Sequence, residues 1–576
     1  MASLGIALDL GTSGFRAQAL DLETGEVLAT AITTRHPLPG ANVMDHLHFV
    51  LDMGAEAARG IVTRAVNRLL RALNIDLDRV ARCALCGNPT QLSVFQGLDI
   101  RDLAYAGKRL LSRLGVTPPA RDAAVLPAAS LPGLELPGCC QVFVPPAVRH
   151  EVGADALALI LRTGMLDRDE TALAIDYGTN AEIALVHQGR VLTGSTAAGP
   201  ALEGQHIACG MLAAPGAVAD LEPEAGRHRL FVLDQAMLPL PGALVRLDGE
   251  PVDERADAPI DAPRCLGITG TGTIAVIDQG LECGLIRLPR IRTADSALHL
   301  GQGLYLTEQD LAEAGKAFGA IRAGMITLCH EAGIELSAIR TAYMAGASGT
   351  YVDPLKARRV GLLPPRAERV VQLGNTSLAL ARELVLAPDR LAELEQLADR
   401  LRASHCLFAA SKPFAKVFLL EFSHWTEGMP VEHYRRFLTR YGLPDLPSLG
   451  PAPAIRRLVQ RDIDDLGTMG LTIVPDIGDV VSQCFEGCAA CGACVEACPE
   501  RALVLDPAVA CLTLDQARCN GVACRRCERA CPLKICDLER FFRSSHACDS
   551  QDGERSLEGS SGCLPPFSRV RPERSV

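Results

Sequence analysis

The sequence of 576 residues offers no stretch of about 18 uninterrupted apolar residues, so no segment reads as a membrane-spanning helix. Its start, MASLGIALDLGTSG, has no basic run ahead of an apolar one and does not read as a secretory leader. Basic residues are outnumbered, 57 against 68 acidic for a formal charge of −11, and they form no long stripe. Together these absences predict a cytoplasmic protein with neither a membrane nor a nucleic acid as partner. What is present is ample: 48% hydrophobic residues support extensive burial, and the length predicts roughly three or four structural units.

Cysteine is sparse in most of the chain and crowded at one end. Nine cysteines are scattered through the first 480 residues, including Cys83, Cys86 and the vicinal Cys139 and Cys140. They read as buried, reduced thiols of a reducing compartment. The other thirteen of the 22 fall in the last 93 residues, and eight of them make two runs. One is Cys488-x2-Cys491-x2-Cys494-x3-Cys498-Pro499, the other Cys519-x4-Cys524-x2-Cys527-x3-Cys531-Pro532. A cubane cluster takes one thiolate at each of four irons, a short loop wraps three corners, and in paired ferredoxin loops the fourth cysteine serves the other run's cluster. This predicts one [4Fe-4S] cluster on Cys488, Cys491, Cys494 and Cys531, and a second on Cys498, Cys519, Cys524 and Cys527. The second run has four residues between its first two cysteines where two are usual, so Cys511 or Cys536 stays open as a replacement for Cys519. Structural zinc prefers C-x2-C pairs a dozen or more residues apart, and disulfide frameworks suit secreted chains.

The rest of the chain is organised around a duplication. Residues 4–33 read as apolar strand, Gly/Thr/Ser turn, strand, Asp-Leu-Glu-Thr-Gly turn and strand, and the order recurs at 172–194 with an Asp-x-Gly-Thr turn again after the first strand. Two such turns predict two similar subdomains facing a cleft. Backbone N–H groups of Gly11, Thr12, Ser13, Gly178, Thr179 and Asn180 would cradle phosphate there, and Asp9 and Asp176 would hold Mg²⁺ or its water. A Gly/Thr-rich turn containing Gly270 and Gly272, and a strand running into Gly346, add places where a nucleotide can approach the backbone. On the helix-like segment between them, Lys316 and Arg322 either line that nucleotide or are ordinary solvated charges.

In this order the elements resemble the actin, sugar-kinase and heat-shock-chaperone ATPase superfamily, with the Asp9 and Asp176 turns as the two phosphate motifs and the Gly346 strand as the adenosine motif. Closer still is the resemblance to the ATP-dependent reductive activases of corrinoid proteins. It is carried by CGNPTQLSVFQGLD at 86–99, PPAVRHEVGADALALIL at 145–161, IDYGTNAEIAL at 175–185, STAAGPALEGQHIACGM at 195–211, GAIRAG at 319–324 and AGASGTYVDPLKARRVGLLP at 345–364. Many such activases carry a plant-type [2Fe-2S] domain ahead of the ATPase core. This sequence starts at the first phosphate motif and has its cysteine runs at the other end, an arrangement similar to activases of methylamine methyltransferase systems.

The resemblance implies an α/β fold: a duplicated actin-like core over 1–170 and 171–380, a helical connector and linker over 381–480, and a small α+β ferredoxin-like domain over 481–545. The Ser/Gly/Arg/Pro-rich 546–576, with Cys548 and Cys563, is expected to be disordered. It implies ATP, Mg²⁺ and two [4Fe-4S] clusters as cofactors, a corrinoid protein as partner, and a low-potential donor such as a ferredoxin. Asp155 takes the role of positioning the attacking water, or is a charge at a helix N-terminus. Glu182 and Glu203 are expected near Mg²⁺, and His150 and His206 either approach a corrinoid or are structural. The implied activity is ATP-driven reduction of Co(II) to Co(I). An activator of a radical acyl-CoA dehydratase or aromatic-ring reductase is the alternative, with a plain electron carrier behind it.

Overall fold

The structure, a computed structural model, describes residues 3–544 except 41, 106–107, 150–151, 199, 205, 251–263, 476 and 499. His150 and the 546–576 segment with Cys548 and Cys563 lie outside the described residues, as does the side chain of Glu203.

Two mixed sheets carry the ATPase body. In the first, Leu4–Leu10 pairs antiparallel with Phe15–Asp21 on one side and parallel with Val80–Gly87 on the other. In the second, Ala172–Tyr177 pairs antiparallel with Asn180–His187 and parallel with Thr341–Ala345. The same centre is therefore built twice, as the repeated strand-turn-strand sequence requires. Both central strands are covered on two faces, and LGIALDL is apolar nearly throughout with every residue buried.

The region read as a helical connector is only partly that. It is helical at Arg390–Arg402, Lys412–Glu427 and Val431–Arg440. Its remainder supplies an edge strand to each sheet: Ala454–Arg457 pairs parallel with Arg369–Gln372, and Leu471–Val474 pairs parallel with Val27–Thr33. The proline-rich stretch between Tyr441 and Ala454 leads into this pairing, so the segment closes both sheet edges.

The cysteine-rich lobe is a three-stranded antiparallel sheet, with Cys511–Asp515 between Val480–Cys484 and Leu503–Asp506, and with short helices around it. Its buried Phe485, Leu512, Leu514 and Phe541 belong to one continuous apolar core with the first sheet and with one set of second-sheet residues (Ala172, Ala174, Ala184), whereas Leu173, Ile175 and Leu185 of the second sheet lie in another core. Phe542 meets Phe49 edge-on at 4.9 Å between centroids, and Asp479 accepts from Arg64 at 2.6 Å and Arg68 at 3.3 Å. The lobe is thus packed on the first subdomain.

The nine scattered cysteines divide differently from the expectation. Cys83, Cys86, Cys140, Cys265 and Cys329 are buried, Cys209 and Cys406 partly so, and Cys139 and Cys283 are exposed. Among the described residues no helix is long and apolar enough to cross a membrane.

Candidate functional site

Asp9 is the penultimate residue of the first strand of one sheet and Asp176 of its counterpart in the other, so both turns point into one cleft. Gly11, Thr12 and Ser13 line it from one side, Gly178, Thr179 and Asn180 from the other, together with Asp155 and Gly346. Gly346 has φ +80°, and a Cβ there would sit 2.3 Å from Asp176 Oδ1. A glycine is required for the carboxylate and the start of the Gly346–Tyr351 helix to share that space.

The electrostatics of the cleft are dominated by acid. Burial raises Asp9, partly offset by Arg16 and by Asn375 Nδ2, which donates to Asp9 Oδ2 at 2.8 Å. Burial, with the charge of Asp9 added, pushes Asp155 up to about 6, although its Oδ1 accepts from the N–H groups of Ala156 at 2.8 Å and Gly153 at 3.2 Å. Asp176 is pushed up to about 8 by burial and then by Asp155, Asp9 and Asp462. Glu182, directly opposite Asp176 in the hairpin, is raised well above its ordinary value by burial and by Asp155 and Asp176. Four carboxyl groups crowded at the expense of their own ionisation would gain from a nearby cation; among the described residues no three of them converge as ligands of a single ion, so such a cation would be held in part through water and nucleotide. This chemistry fits Mg²⁺ with a nucleotide.

Several cleft residues had no motif to announce them. Arg16 lies directly opposite Asp9 in the first hairpin, and its Nε donates to Asp462 Oδ2 at 3.0 Å. Asn88 donates to Thr12 Oγ1 at 2.9 Å, and Asn375 and Ser377 close another wall. The hairpin register could have supplied Arg16, but Asn375 and Asp462 arrive from hundreds of residues away.

Five nominated residues stand elsewhere. Gly270 lines a more apolar cavity that shares Ser13 and Arg16 with the cleft and is walled by Leu202, Met237 and Tyr351. Gly272 lines neither cavity; its missing side chain lets the Gly270–Glu282 helix pack against Val218, whose carbonyl oxygen would lie 2.3 Å from a Cβ. Lys316 pairs with Glu313 at 2.7 Å and is also outside both cavities, as its i−3 acidic neighbour on an exposed helix face favours. Arg322 is likewise diverted, donating to the buried Glu421 at 2.8 Å. His206 is exposed.

In the lobe, Cys488, Cys491, Cys494 and Cys531 line a single cavity with apolar walls that include Phe485, Leu512 and Ile535. Cys531 comes from the second run, as crossed ligation requires. The other four also gather: burial raises the Cys519 thiol, and Cys527, Cys498 and Cys524 raise it further. Donors already face several of these sulfurs. Ala502 N–H reaches Cys498 Sγ at 3.4 Å, Gly521 N–H reaches Cys519 Sγ at 3.3 Å, and Arg526 Nε reaches Cys524 Sγ at 3.0 Å. At Cys531 burial works upward, but N–H groups from Cys536, Ile535, Leu533 and Lys534 bring the thiol down overall.

The two candidate substitutes for Cys519 are differently placed. Cys511 stands directly opposite Cys484 and is disulfide-bonded to it, which departs from an all-thiol chain; their Cα atoms are 4.0 Å apart. Cys536 lines the first quartet's cavity and hydrogen-bonds with Cys527.

Fold and site together define an actin-like ATPase joined to a cysteine lobe suited to iron-sulfur clusters. Models for the RACo middle region and for the C-terminal domain of RACo, the ASKHA domain, match residues 4–168 and 170–435. A [Co(II) methylated amine-specific corrinoid protein] reductase of Methanosarcina barkeri is 48% identical over 501 residues, 87% of this chain and 91% of that one. Corrinoid activation enzyme RamQ of Eubacterium limosum is 25% identical over 391 residues, 62% of this chain and 60% of its own. A solved reductive activator for corrinoid, iron-sulfur protein shares the fold with TM-score 0.59 at 24% identity, over 73% of this chain and 66% of that one. The chain belongs to the family of ATP-dependent reductive activators of corrinoid proteins.

Proposed function

We propose that this chain binds Mg-ATP between its two phosphate turns and uses binding and hydrolysis to drive single electrons into the Co(II) corrinoid of a methyltransferase protein, yielding Co(I). The observation that carries this reading is the packing of a lobe with two cysteine quartets onto the subdomain that holds the first phosphate turn. Cys488, Cys491, Cys494 and Cys531 would hold one [4Fe-4S] cluster, and Cys498, Cys519, Cys524 and Cys527 the other. When bound, these groups supply one-electron storage near −400 mV.

A Co(II)/Co(I) couple about 100 mV below the donor makes the transfer uphill by roughly 2.3 kcal/mol. Nucleotide-coupled change can supply about 1–3 kcal/mol, and hydrolysis makes the cycle directional. Asp176 and Glu182 take the metal and its waters. Arg16 balances Asp9 and the phosphates. Asp155, held at a helix N-terminus by two N–H groups, accepts the proton of the attacking water. The electron itself comes from a low-potential donor of the ferredoxin class.

The test supplies anaerobic protein, a strong reductant and a Co(II) corrinoid protein. With Mg-ATP the Co(I) spectrum should grow; without it the cobalt should stay mostly Co(II). About eight iron and eight sulfide per chain are expected, and Cys491→Ala should remove one cluster. Equal Co(I) formation with and without ATP would refute the coupling.

A further inference from the structure

The lobe and the first phosphate turn are joined by more than a shared core. Residues Thr33 to Gly40 run as a strap from one to the other. At the cleft end, Phe15 N–H, just past the first phosphate turn, donates to Thr33 Oγ1 at 2.8 Å, and Gly14 packs so closely that a Cβ there would lie 2.8 Å from the same oxygen. At the lobe end, Gly40 N–H donates to the backbone carbonyl of Cys519 at 2.9 Å. Pro37 and Pro39 fix two of the intervening φ angles, so the strap is stiff.

Its middle is clamped. His36 meets the edge of the Phe15 ring at 5.0 Å and stacks on His46 at 4.0 Å between centroids. Its Nδ1 accepts from Leu38 N–H at 3.0 Å, which leaves Nε2 as the protonated nitrogen facing Gln91 Oε1 at 2.9 Å. Gln91 then donates through Nε2 to His46 Nδ1 at 2.8 Å. All three side chains are buried. Gln91 is not itself in the cleft wall but is tied to it through its backbone, because its N–H donates to Asn88 Oδ1 at 3.0 Å while Asn88 Nδ2 donates to Thr12 Oγ1 at 2.9 Å. Gln91 is therefore one hydrogen-bonded residue from the phosphate turn and clamps the strap that ends on Cys519.

We propose that Gln91, gripping His36 and His46, is a positioning residue that couples nucleotide occupancy at the first phosphate turn to the Cys519 cluster through the Thr33–Gly40 strap. The inference rests on the functional reading above for the presence of a nucleotide and a cluster, and adds the route between them. No single contact of the route touches a reacting atom. Linkage makes the claim measurable: whatever factor nucleotide imposes on reduction, reduction imposes on nucleotide affinity. A tenfold factor corresponds to about 59 mV for one electron.

The experiment measures the affinity of a non-hydrolysable ATP analogue with Mg²⁺ for the oxidised and the dithionite-reduced full chain, with the cluster midpoints followed by EPR. Wild type should show an affinity ratio of about fivefold or more and a matching midpoint shift. Gln91→Met and His46→Leu should bring the ratio close to one while iron content and oxidised-state affinity stay at wild-type levels. Independently of any substitution, hydrogen exchange at Leu38 and Gly40 should slow in the wild type when the analogue binds. A wild-type ratio of one, unchanged exchange at both amides, or a folded variant that keeps the full ratio would overturn the proposal while leaving the functional reading intact. Absence of iron or of nucleotide binding in the wild type would overturn that reading and this one with it.

Discussion

The two phosphate hairpins are built alike and charged differently. In each, an aspartate from the first strand faces the cleft, and the hairpin register sets one residue directly across from it: Arg16 opposite Asp9, Glu182 opposite Asp176. Asp9 also receives Asn375. At Asp176 only the charge of Arg16 works the other way, and burial, then the carboxyl groups around it, hold it up at about 8. Duplication has thus kept the backbone cradle twice while dividing the work. The first hairpin sets a guanidinium across from its aspartate and the second sets a carboxyl group there, so the second is where a bound cation would let two carboxylates ionise together.

Asp155 acts on both hairpins, and its loss should have the largest effect. Asp155→Asn should lower ATP hydrolysis by about 10²–10⁴-fold, the range for removing a positioned base. Nucleotide binding and the cluster spectra should persist. Steady-state phosphate release checks it, and a loss under about tenfold would mean that the acid cluster does not serve hydrolysis.

The division of labour should appear next as two different deficits. Asp176→Asn should raise the Mg²⁺ concentration for half-maximal ATPase by about 10–100-fold. Arg16→Gln should leave that requirement near wild type and raise the KM for ATP. Metal titrations at saturating nucleotide distinguish them. Equal Mg²⁺ defects in both variants would abolish the contrast between the hairpins.

How far the sequence reached depends on distance along the chain. Asp9, Asp176 and their turns were legible because strand-turn-strand chemistry is local, and the crossed quartets because a cluster's ligand spacing is local except for one cysteine. Arg16 and Glu182 were within reach of the register argument. Asn375 and Asp462 were not, since no local pattern says which distant loop closes a cleft. The edge strands Ala454–Arg457 and Leu471–Val474 were missed for a related reason: each is four residues long, largely solvent-facing, and defined by the partner it finds. Lys316, read either as lining the nucleotide or as an ordinary solvated charge, pairs with Glu313 in space, a partner three residues away that sequence alone could have offered.

Proton release should give a smaller, graded effect. Asp155 and Asp176 are held up at about 6 and about 8, so below those values the cleft carries protons that Mg²⁺ must displace. Mg²⁺ affinity should therefore rise from pH 6 to pH 8, by at most about tenfold per pH unit for each proton displaced. For the metal-free chain the sign is opposite. A folded-state value raised above the unfolded carboxyl means that stability is full below the unfolded value and is lost as pH rises through about 8. Thermal unfolding without Mg²⁺ should accordingly be easier at pH 8.5 than at pH 6, and Asp176→Asn should flatten that slope. A slope unchanged by the substitution would place the responsible protons elsewhere.

Gly346→Ala sets the two hairpins against each other with a single methyl group. The backbone at Gly346 is left-handed, φ +80°, and the added Cβ would fall 2.3 Å from Asp176 Oδ1. Left-handed backbone costs a residue with a Cβ roughly 1–2 kcal/mol, and relief of the contact requires the carboxylate or the helix to move. Nucleotide affinity should fall about tenfold, with the Mg²⁺ requirement rising in step because the displaced group is Asp176. On the other hairpin, Gly11→Ala meets the Gly14 carbonyl oxygen at 2.9 Å and, at ordinary contact distance, Arg16 Nη1 at 3.6 Å, without a left-handed backbone. Its effect should be smaller and confined to nucleotide affinity. Calorimetric titration of both variants at low and high Mg²⁺ decides the matter: if Gly11→Ala were the one to change the metal requirement, the cation would belong to the first hairpin and the assignment drawn from Glu182 and Asp176 would be reversed.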